Sequence, residues 1–308
     1  MRLGQGGQVW ILPLLLALVA CFTLHGATPA KANPASSFPL VIKDGLGREI
    51  LIKEVPKRLI ALTPSVTENL FALGLGDKVV GVSNYSDFPL AAKDRPVVGD
   101  AFQLNYEKIL LLEPDLIIGD AQLVKNYMNK LEELGLPVLA INPTNLQEVM
   151  DSLLLLGRVT GSTDVANQVV CEMQERIQYV EGKVKDLPEE ARPLVFVEVW
   201  DEPLMTCGPG SFIQELIELA AGKNLAADAS DAWIEYSSEL VVERDPEIIL
   251  LTRPYKDELV ARSAWQGIKA IKDGRVVEVN SDPFVRTTPR LAHALVELAT
   301  ILHPEIFQ

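Results

Sequence analysis

Two glutamates recur in nearly the same sequence context at distant points of the chain. Glu107 lies in "YEKILLLEPDLIIGD" and Glu239 in "SSELVVERDPEIILLT"; a proline follows each glutamate seven residues later, then an acidic residue and a run of Ile and Leu. This spacing predicts a short helix with the glutamate in its first turn, then a turn and a buried strand. A carboxylate in that position is stabilised by the positive end of the helix and can form charge-assisted pairs with cations.

Acid–base catalysis is the other chemistry that the carboxylates suggest. Asp87, Asp201 and Glu202 could be combined into an acid–base set. The sequence, however, places no nucleophile, base and orienting group near one another, and its glycines form turns rather than a phosphate-binding loop. No cluster of Cys and His has metal-ligand spacing. We therefore predict no enzyme, no metal site and no resident cofactor; an exported enzyme is the alternative from another functional class.

The composition limits the class of partner. The chain has 308 residues, a formal net charge of −14 and an isoelectric point near 4.8. Such acidity argues against nucleic acid as a partner, because a phosphate backbone is bound by Lys and Arg that displace its counterions. The length favours two domains over one, and 48% hydrophobic residues are enough for ordinary cores.

The first 32 residues read as an export leader rather than as part of the fold. A basic Arg2 precedes the apolar run at 9–20, which is short for a membrane span. Two ends of the leader are possible: "LVAC" resembles a lipobox with Cys21 as the lipidated residue, and "AKA" fits ordinary cleavage before Asn33. We favour the lipobox. Either end predicts an exported protein, periplasmic or at the cell surface, and the lipobox predicts a lipid anchor.

Two α/β lobes are predicted in the body of the chain. Alternation around an Asp-Gly turn at 38–56 indicates a hairpin, and continuous apolar runs then alternate with helical patterns, as in parallel sheets covered on both faces. The same order restarts after a long amphipathic segment. We predict two Rossmann-like lobes joined by a single long helix, with boundaries at 38–161 for the N-terminal lobe, 162–190 for the connecting helix and 191–308 for the C-terminal lobe.

Several local expectations follow from this division. The two glutamate repeats should occupy equivalent places in the two lobes, and a ligand cleft is expected between the lobes, with modest closure because one stiff helix joins them. Ser65 is expected to cap the helix at 65–76. Cys171 falls in a helical pattern and Cys207 in a loop, and whether these two cysteines pair stays open.

Longer segments resemble a known family. "RLIALTPSVTENLFALGLGDKVVGVSNYSDFP" together with "NYEKILLLEPDLII", and "RTTPRLAHALVELATILHPEIF" near the end, are similar to the class III periplasmic binding proteins, in particular the cobalamin-binding members. These are the substrate-binding components of ABC importers for cobalamin, haem and iron–siderophores, and the resemblance covers 38–308. It implies a permease and an ATPase in the membrane as partners. It also implies that Glu107 and Glu239 dock on arginines of the permease; we expect a monomer.

The resemblance also suggests residues that line the ligand site. Tyr85 matches an aromatic that lies against corrin in cobalamin binders, and Trp233, six residues before Glu239, matches a tryptophan of those proteins. Phe102 and Trp200 are further candidates for the walls. Large flat ligands suit such residues, because aromatic faces supply contact area and stacking.

Polar groups and departures from the pattern bear on the identity of the ligand. Asp282 and Arg286 match a loop that would bond corrin amides. Ala101 stands where cobalamin binders often carry a tryptophan, and Asp120 replaces another wall aromatic. A haem binder would supply Tyr or His near 101–102, and siderophore binders usually place Arg or Lys in the cleft, for which Arg286 is the obvious candidate. On the resemblance as a whole, a cobalamin-like corrinoid is the predicted ligand, with haem and iron–siderophore as alternatives.

Overall fold

A four-stranded parallel sheet organises the N-terminal half of the computed structural model, which describes residues 38–100 and 102–308. The expectations for the leader, for Cys21 and for Ala101 lie outside this range. The strands are β1 (Leu40–Lys43), β2 (Glu49–Ile52), β3 (Leu59–Ala61), β4 (Val79–Val82), β5 (Leu116–Asp120) and β6 (Val138–Ile141). The helices are α1 (Pro64–Ala72), α2 (Tyr106–Leu111), α3 (Ala121–Glu133) and α4 (Leu146–Thr160). The order in the sheet is β4-β3-β5-β6, and β1 and β2 form the predicted antiparallel hairpin.

A second parallel sheet follows the long helix α5 (Thr163–Val184). The strands are β7 (Leu194–Glu198), β8 (Trp200–Asp201), β9 (Leu204–Cys207), β10 (Lys223–Asn224), β11 (Trp233–Glu235), β12 (Ile248–Leu251) and β13 (Val276–Glu278). The helices are α6 (Phe212–Leu219), α7 (Ser238–Arg244), α8 (Lys256–Val260), α9 (Lys269–Lys272), α10 (Ser281–Val285) and α11 (Arg290–Leu302). The parallel order is β10-β7-β12-β13, and β11-β9-β8 form a small antiparallel sheet that the sequence patterns did not predict.

The glutamate repeats occupy equivalent places in the two halves, as predicted. Helix α2 leads to β5 and helix α7 leads to β12, and each of these strands lies in the interior of its sheet. The residues before the two prolines, Glu113 and Asp245, both have positive φ, at 44° and 49°. A left-handed residue ends a helix sharply, so both repeats make the same exit from helix to strand.

Two local expectations were wrong. Helix α1 is capped by Thr63, whose hydroxyl accepts a hydrogen bond from the amide of Val66, while Ser65 lies inside the helix. Cys207 is the last residue of β9 and is fully buried, because β11 pairs with β9 on that side. Burial raises the pKa of its thiol to about 12. Both Cys207 and the exposed Cys171 on α5 are free thiols.

Helix α5 is part of the core as well as a connection. Its 22 residues span about 33 Å at the usual rise. Apolar residues along it, among them Val170, Met173 and Val180, belong to one hydrophobic cluster that includes strands of both sheets. Helix α4 packs on α5 through Gly157, where an added Cβ would lie 2.5 Å from the Cβ of Ala166. The two lobes therefore share one continuous core along this helix.

A buried ion cluster joins the lobes at a second place. The Glu68 carboxylate on α1, with a side chain only 3% exposed, accepts hydrogen bonds from Arg286 at 2.8 Å and from Arg290 at 2.7 and 2.8 Å. Arg286 also contacts Asp87 at 2.8 Å and Asp282 at 3.0 Å. Burial alone would raise the pKa of Asp87, but the hydrogen bond and charge of Arg286 lower it. The cluster holds the segments that follow β3 and β4 against the segment that follows β13.

The close approach of α4 and α5 predicts opposite effects for two glycine substitutions. Gly157→Ala should lower the free energy of unfolding by about 1–3 kcal/mol, because the new methyl group overpacks the contact with Ala166. Gly182 lies on α5, and nothing lies within 4 Å of a Cβ added there. Gly182→Ala should therefore raise the free energy of unfolding by about 0.5–1 kcal/mol. Urea denaturation measures both changes. Equal effects of the two substitutions would contradict the packing described.

The ion cluster predicts a large cost for neutralising its central carboxylate. Glu68→Gln should lower the free energy of unfolding by about 3 kcal/mol. This value is at the low end of the usual cost of breaking a buried ion pair, because Asp87 and Asp282 still face Arg286. The control is Glu132→Gln, which removes an exposed pair with Arg48 and should cost less than about 1 kcal/mol. A loss no larger than that of the control would show that the cluster does not stabilise the fold.

Candidate functional site

The carboxyl ends of the two parallel sheets face each other. Glu68 and Asn69 follow β3, and Asp87 and Phe88 follow β4; all of them contact residues that follow β13. In open α/β sheets the ligand crevice lies at the carboxyl ends of the strands. The segments that follow these strands therefore form the candidate site, and we call the space between them the cleft.

Exposed aromatic residues of the N-terminal lobe lie in segments at this edge. Tyr85, 68% exposed, is in the loop after β4, and Phe102, 90% exposed, is in the loop before α2. The loop of Tyr85 is anchored below, since the Ser86 hydroxyl bonds the hydroxyls of Thr67 and Ser83 at 2.8 and 3.0 Å. These bonds fix the backbone position from which the Tyr85 ring projects.

Two tryptophans are exposed on the C-terminal lobe. Trp200 begins β8 immediately after β7, and its indole N–H donates to the Glu202 carbonyl at 2.9 Å. Trp233 begins β11 and packs edge-on against Phe212, with ring centroids 5.5 Å apart. Both side chains are between 43% and 48% exposed, so each keeps a free face while one side is supported.

The two predicted polar residues already bond each other. Asp282 is in the first turn of α10, and its carboxylate meets Arg286, the residue that ends this helix, at 3.0 Å. The Arg286 side chain is only 12% exposed. Arg286 is thus a structural cation of the interlobe cluster, while Asp282 is the more exposed partner. Their role toward a ligand stays a prediction.

Sequence reasoning missed several charged residues near the cleft. Arg290 bonds Glu68 and also lies 4.1 Å from the ring centroid of Phe88. Arg253 lies 4.0 Å from the ring centroid of Trp200 and 3.5 Å from Asp201. Arg253 comes shortly after the apolar run of β12, and a cation so close to the carboxyl end of a strand was the signal that could have identified it.

A buried carboxylate ends β7, two residues before Trp200. Glu198, the last residue of β7, has a fully buried side chain and bonds Arg262 at 3.0 Å. Burial raises the pKa of Glu198, and burial together with this carboxylate raises the pKa of the Tyr255 hydroxyl. Arg262 also lies over Trp265, 4.8 Å from the ring centroid. These contacts tie the end of β7 to the segment that follows β12.

The two repeated glutamates are exposed in first helical turns. The Asn105 side chain caps α2, and Glu107 is two residues further on. Ser237 caps α7 and accepts hydrogen bonds from the amides of Glu239 and Leu240. A hydrogen bond from the Ser237 hydroxyl also lowers the pKa of the Glu239 carboxyl, which favours its charged form.

The structure does not bring together the carboxylates that were considered as an acid–base set. Asp87 belongs to the N-terminal lobe and contacts Arg286, whereas Asp201 contacts Arg253 in the other lobe. Among the described residues, no group of three or more His, Cys, Asp and Glu side chains is placed to hold a metal ion. Within 38–100 and 102–308, no helix is both long and apolar enough to cross a membrane.

Comparison with known proteins gives consistent matches along the chain. Residues 59–283 match the periplasmic binding protein family. The chain is 32% identical to YvrC of Bacillus subtilis, an uncharacterized ABC transporter substrate-binding lipoprotein, with 97% of this chain and 98% of the relative covered. It is 30% identical to a cobalamin-binding protein of Halobacterium salinarum, over 90% and 78% of the two chains. The structure of the periplasmic vitamin B12 binding protein BtuF of Vibrio cholerae matches with a TM-score of 0.71 at 28% identity, over 82% and 99%.

These matches decide several of the predictions. The resemblance read from the sequence and the two-lobed α/β fold are confirmed. Solute-binding proteins of ABC transporters are not enzymes, so the prediction that this chain is no enzyme is confirmed through its family. The extent of the family match and the nearly full-length relative lead to one conclusion: the chain belongs to the periplasmic binding protein family and is a substrate-binding protein of an ABC transporter.

Proposed function

We propose that the chain captures a cobalamin-like corrinoid in the cleft and delivers it to the permease of an ABC importer. The observation that carries the proposal is the set of exposed aromatic rings at both edges of the cleft, namely Tyr85, Phe102, Trp200 and Trp233. Large aromatic side chains left exposed on both lobes favour a binding role, and their flat faces suit a large flat ligand. The names of the cobalamin-binding and vitamin B12-binding relatives support the same ligand class.

Polar groups in the cleft would orient this ligand. The amides at the rim of a corrin ring both donate and accept hydrogen bonds, so they can bond a carboxylate and a guanidinium together. Asp282 and Arg286 offer that pair in a fixed geometry, because the Arg286 guanidinium is also hydrogen-bonded to Glu68 and Asp87. Preorganised polar groups of this kind lower the cost of ordering the site on binding.

Delivery would use the two repeated glutamates. Glu107 and Glu239 are exposed, one in each lobe, at the N-terminal ends of capped helices. We infer that they pair with arginines of a two-fold permease, which works with an ATPase in the membrane. The chain would be exported and tethered through Cys21, and the lipoprotein relative supports this location.

A titration series tests which ligand the protein binds. The mature protein is titrated by calorimetry with cyanocobalamin, haemin and a ferric siderophore, and we expect clear heat with cyanocobalamin. Heat with haemin alone, or with the siderophore alone, would overturn the corrinoid assignment in favour of that ligand. Tyr85→Ala and Trp233→Ala should each weaken cyanocobalamin binding about tenfold, since each ring contributes on the order of 1.4 kcal/mol. The control is Tyr179→Ala, which removes an exposed ring on α5 and should leave the affinity unchanged.

A transport assay in cells tests the docking residues. The double variant Glu107→Ala and Glu239→Ala should retain ligand affinity but lower uptake at least about tenfold, because truncating a desolvated charge pair costs about 2–5 kcal/mol. Glu132→Ala with Glu258→Ala changes the net charge equally, with one exposed residue in each half of the chain, and should leave uptake intact. Uptake unaffected by the first double variant would exclude these glutamates as the docking groups.

A further inference from the structure

Arg253 and Trp200 form a flat cationic surface on the side of the cleft that belongs to the C-terminal lobe. We call this surface the Arg253 shelf. The guanidinium carbon lies 4.0 Å from the indole centroid, a separation typical of stacked cation–π contacts. The indole itself is fixed by its hydrogen bond to the Glu202 carbonyl. Both partners are partly exposed, at 42% for the Arg253 side chain and 48% for Trp200, so the shelf has an accessible side.

Other arginines near this edge are neutralised within the protein. Arg286 and Arg290 share the buried Glu68 carboxylate, and Arg262 pairs with the buried Glu198. A buried carboxylate holds its arginine strongly, because separating the pair would leave an uncompensated charge out of water. Those guanidinium groups therefore keep their carboxylate partners and are not free to neutralise an anionic group of a ligand, although Arg286 can still donate to a neutral amide.

Arg253 differs in the kind of partner that it has. Its carboxylate neighbour, Asp201, is 43% exposed and lies 3.5 Å away, which is long for a charge-assisted hydrogen bond. An exposed pair of this geometry contributes little stability, so a better-placed anion can displace it at small cost. The stacked guanidinium keeps its N–H groups pointing out from its edge, where they can donate two parallel hydrogen bonds.

We propose that the Arg253 shelf is a subsite for a negatively charged oxygen of the captured ligand, and that Asp201 occupies it in the absence of ligand. The inference rests on the proposed function and adds a selection rule to it. Among corrinoids, the shelf would favour those that carry the phosphodiester of the nucleotide loop over those that lack it. Trp200 would serve both to support the cation and to contact the ligand.

Matched ligands and variants test the shelf by calorimetry. Cyanocobalamin carries the phosphodiester and dicyanocobinamide lacks it, so the two ligands and two protein forms make a double cycle. Arg253→Gln should weaken cyanocobalamin about tenfold, as expected for one lost charge-assisted contact, and change dicyanocobinamide less than about twofold. Asp201→Asn should tighten cyanocobalamin by about threefold, because it removes the competing carboxylate. Lys183→Gln is the control, since it removes a cation near the Tyr179 ring on α5 and should change neither affinity.

The outcomes separate the shelf from the proposed function. If the wild-type protein binds cyanocobalamin but Arg253→Gln has no effect, or weakens both corrinoids equally, the shelf is overturned while the corrinoid assignment stands. If the wild-type protein binds neither corrinoid, the corrinoid assignment is overturned, and a ferric tris-catecholate, an anionic chelate, becomes the probe for the same variants. Weaker binding of that chelate by Arg253→Gln supports the shelf. An unchanged affinity, or no binding of the chelate at all, overturns it.

Discussion

The carboxylate of Glu68 is shared by two arginines that belong to the other half of the chain. A charge so deeply buried is tolerated only when it is paired and hydrogen-bonded, and Arg286 and Arg290 satisfy both of its oxygens. This requirement draws the loops that follow β3 and β4 toward the loop that follows β13. Ion pairs therefore join the two lobes at the cleft, and exposed aromatic rings lie in segments of both lobes.

The packing of helix α5 also holds the two lobes together. Helix α5 contributes apolar side chains to a cluster that reaches from β3 in one sheet to β7 and β12 in the other. Separating the lobes widely would expose part of this shared surface, at about 25 cal/mol for each Å² of apolar area. The shared core and the interlobe ion cluster together favour small changes in lobe angle. Small changes suit a protein that holds a ligand for transfer without altering it.

Burial divides the charged residues of this acidic protein into distinct roles. Glu68 and Glu198 are buried and hold arginines in place, whereas Glu107 and Glu239 are exposed on helix ends, where they can meet a partner. Arg253, at the edge of the cleft, is paired instead with the exposed carboxylate of Asp201. The chemistry open to each group follows from how firmly its counter-ion is held.

The sequence by itself determined the features that depend on neighbours along the chain. The hairpin, the alternation of strands and helices and the duplicated glutamate segments were predicted, because hydrophobic periodicity and turn residues act over a few positions. The family was predicted from the resemblance of longer segments to the class III periplasmic binding proteins. The small antiparallel sheet and the burial of Cys207 were missed, since β11 pairs with a strand far from it in sequence. The role of Arg286 as part of the ion cluster also depended on tertiary structure, because its partner Glu68 lies 218 residues away. Which cations are neutralised and which remain available to a ligand was decided only when folding brought such distant charges together out of water.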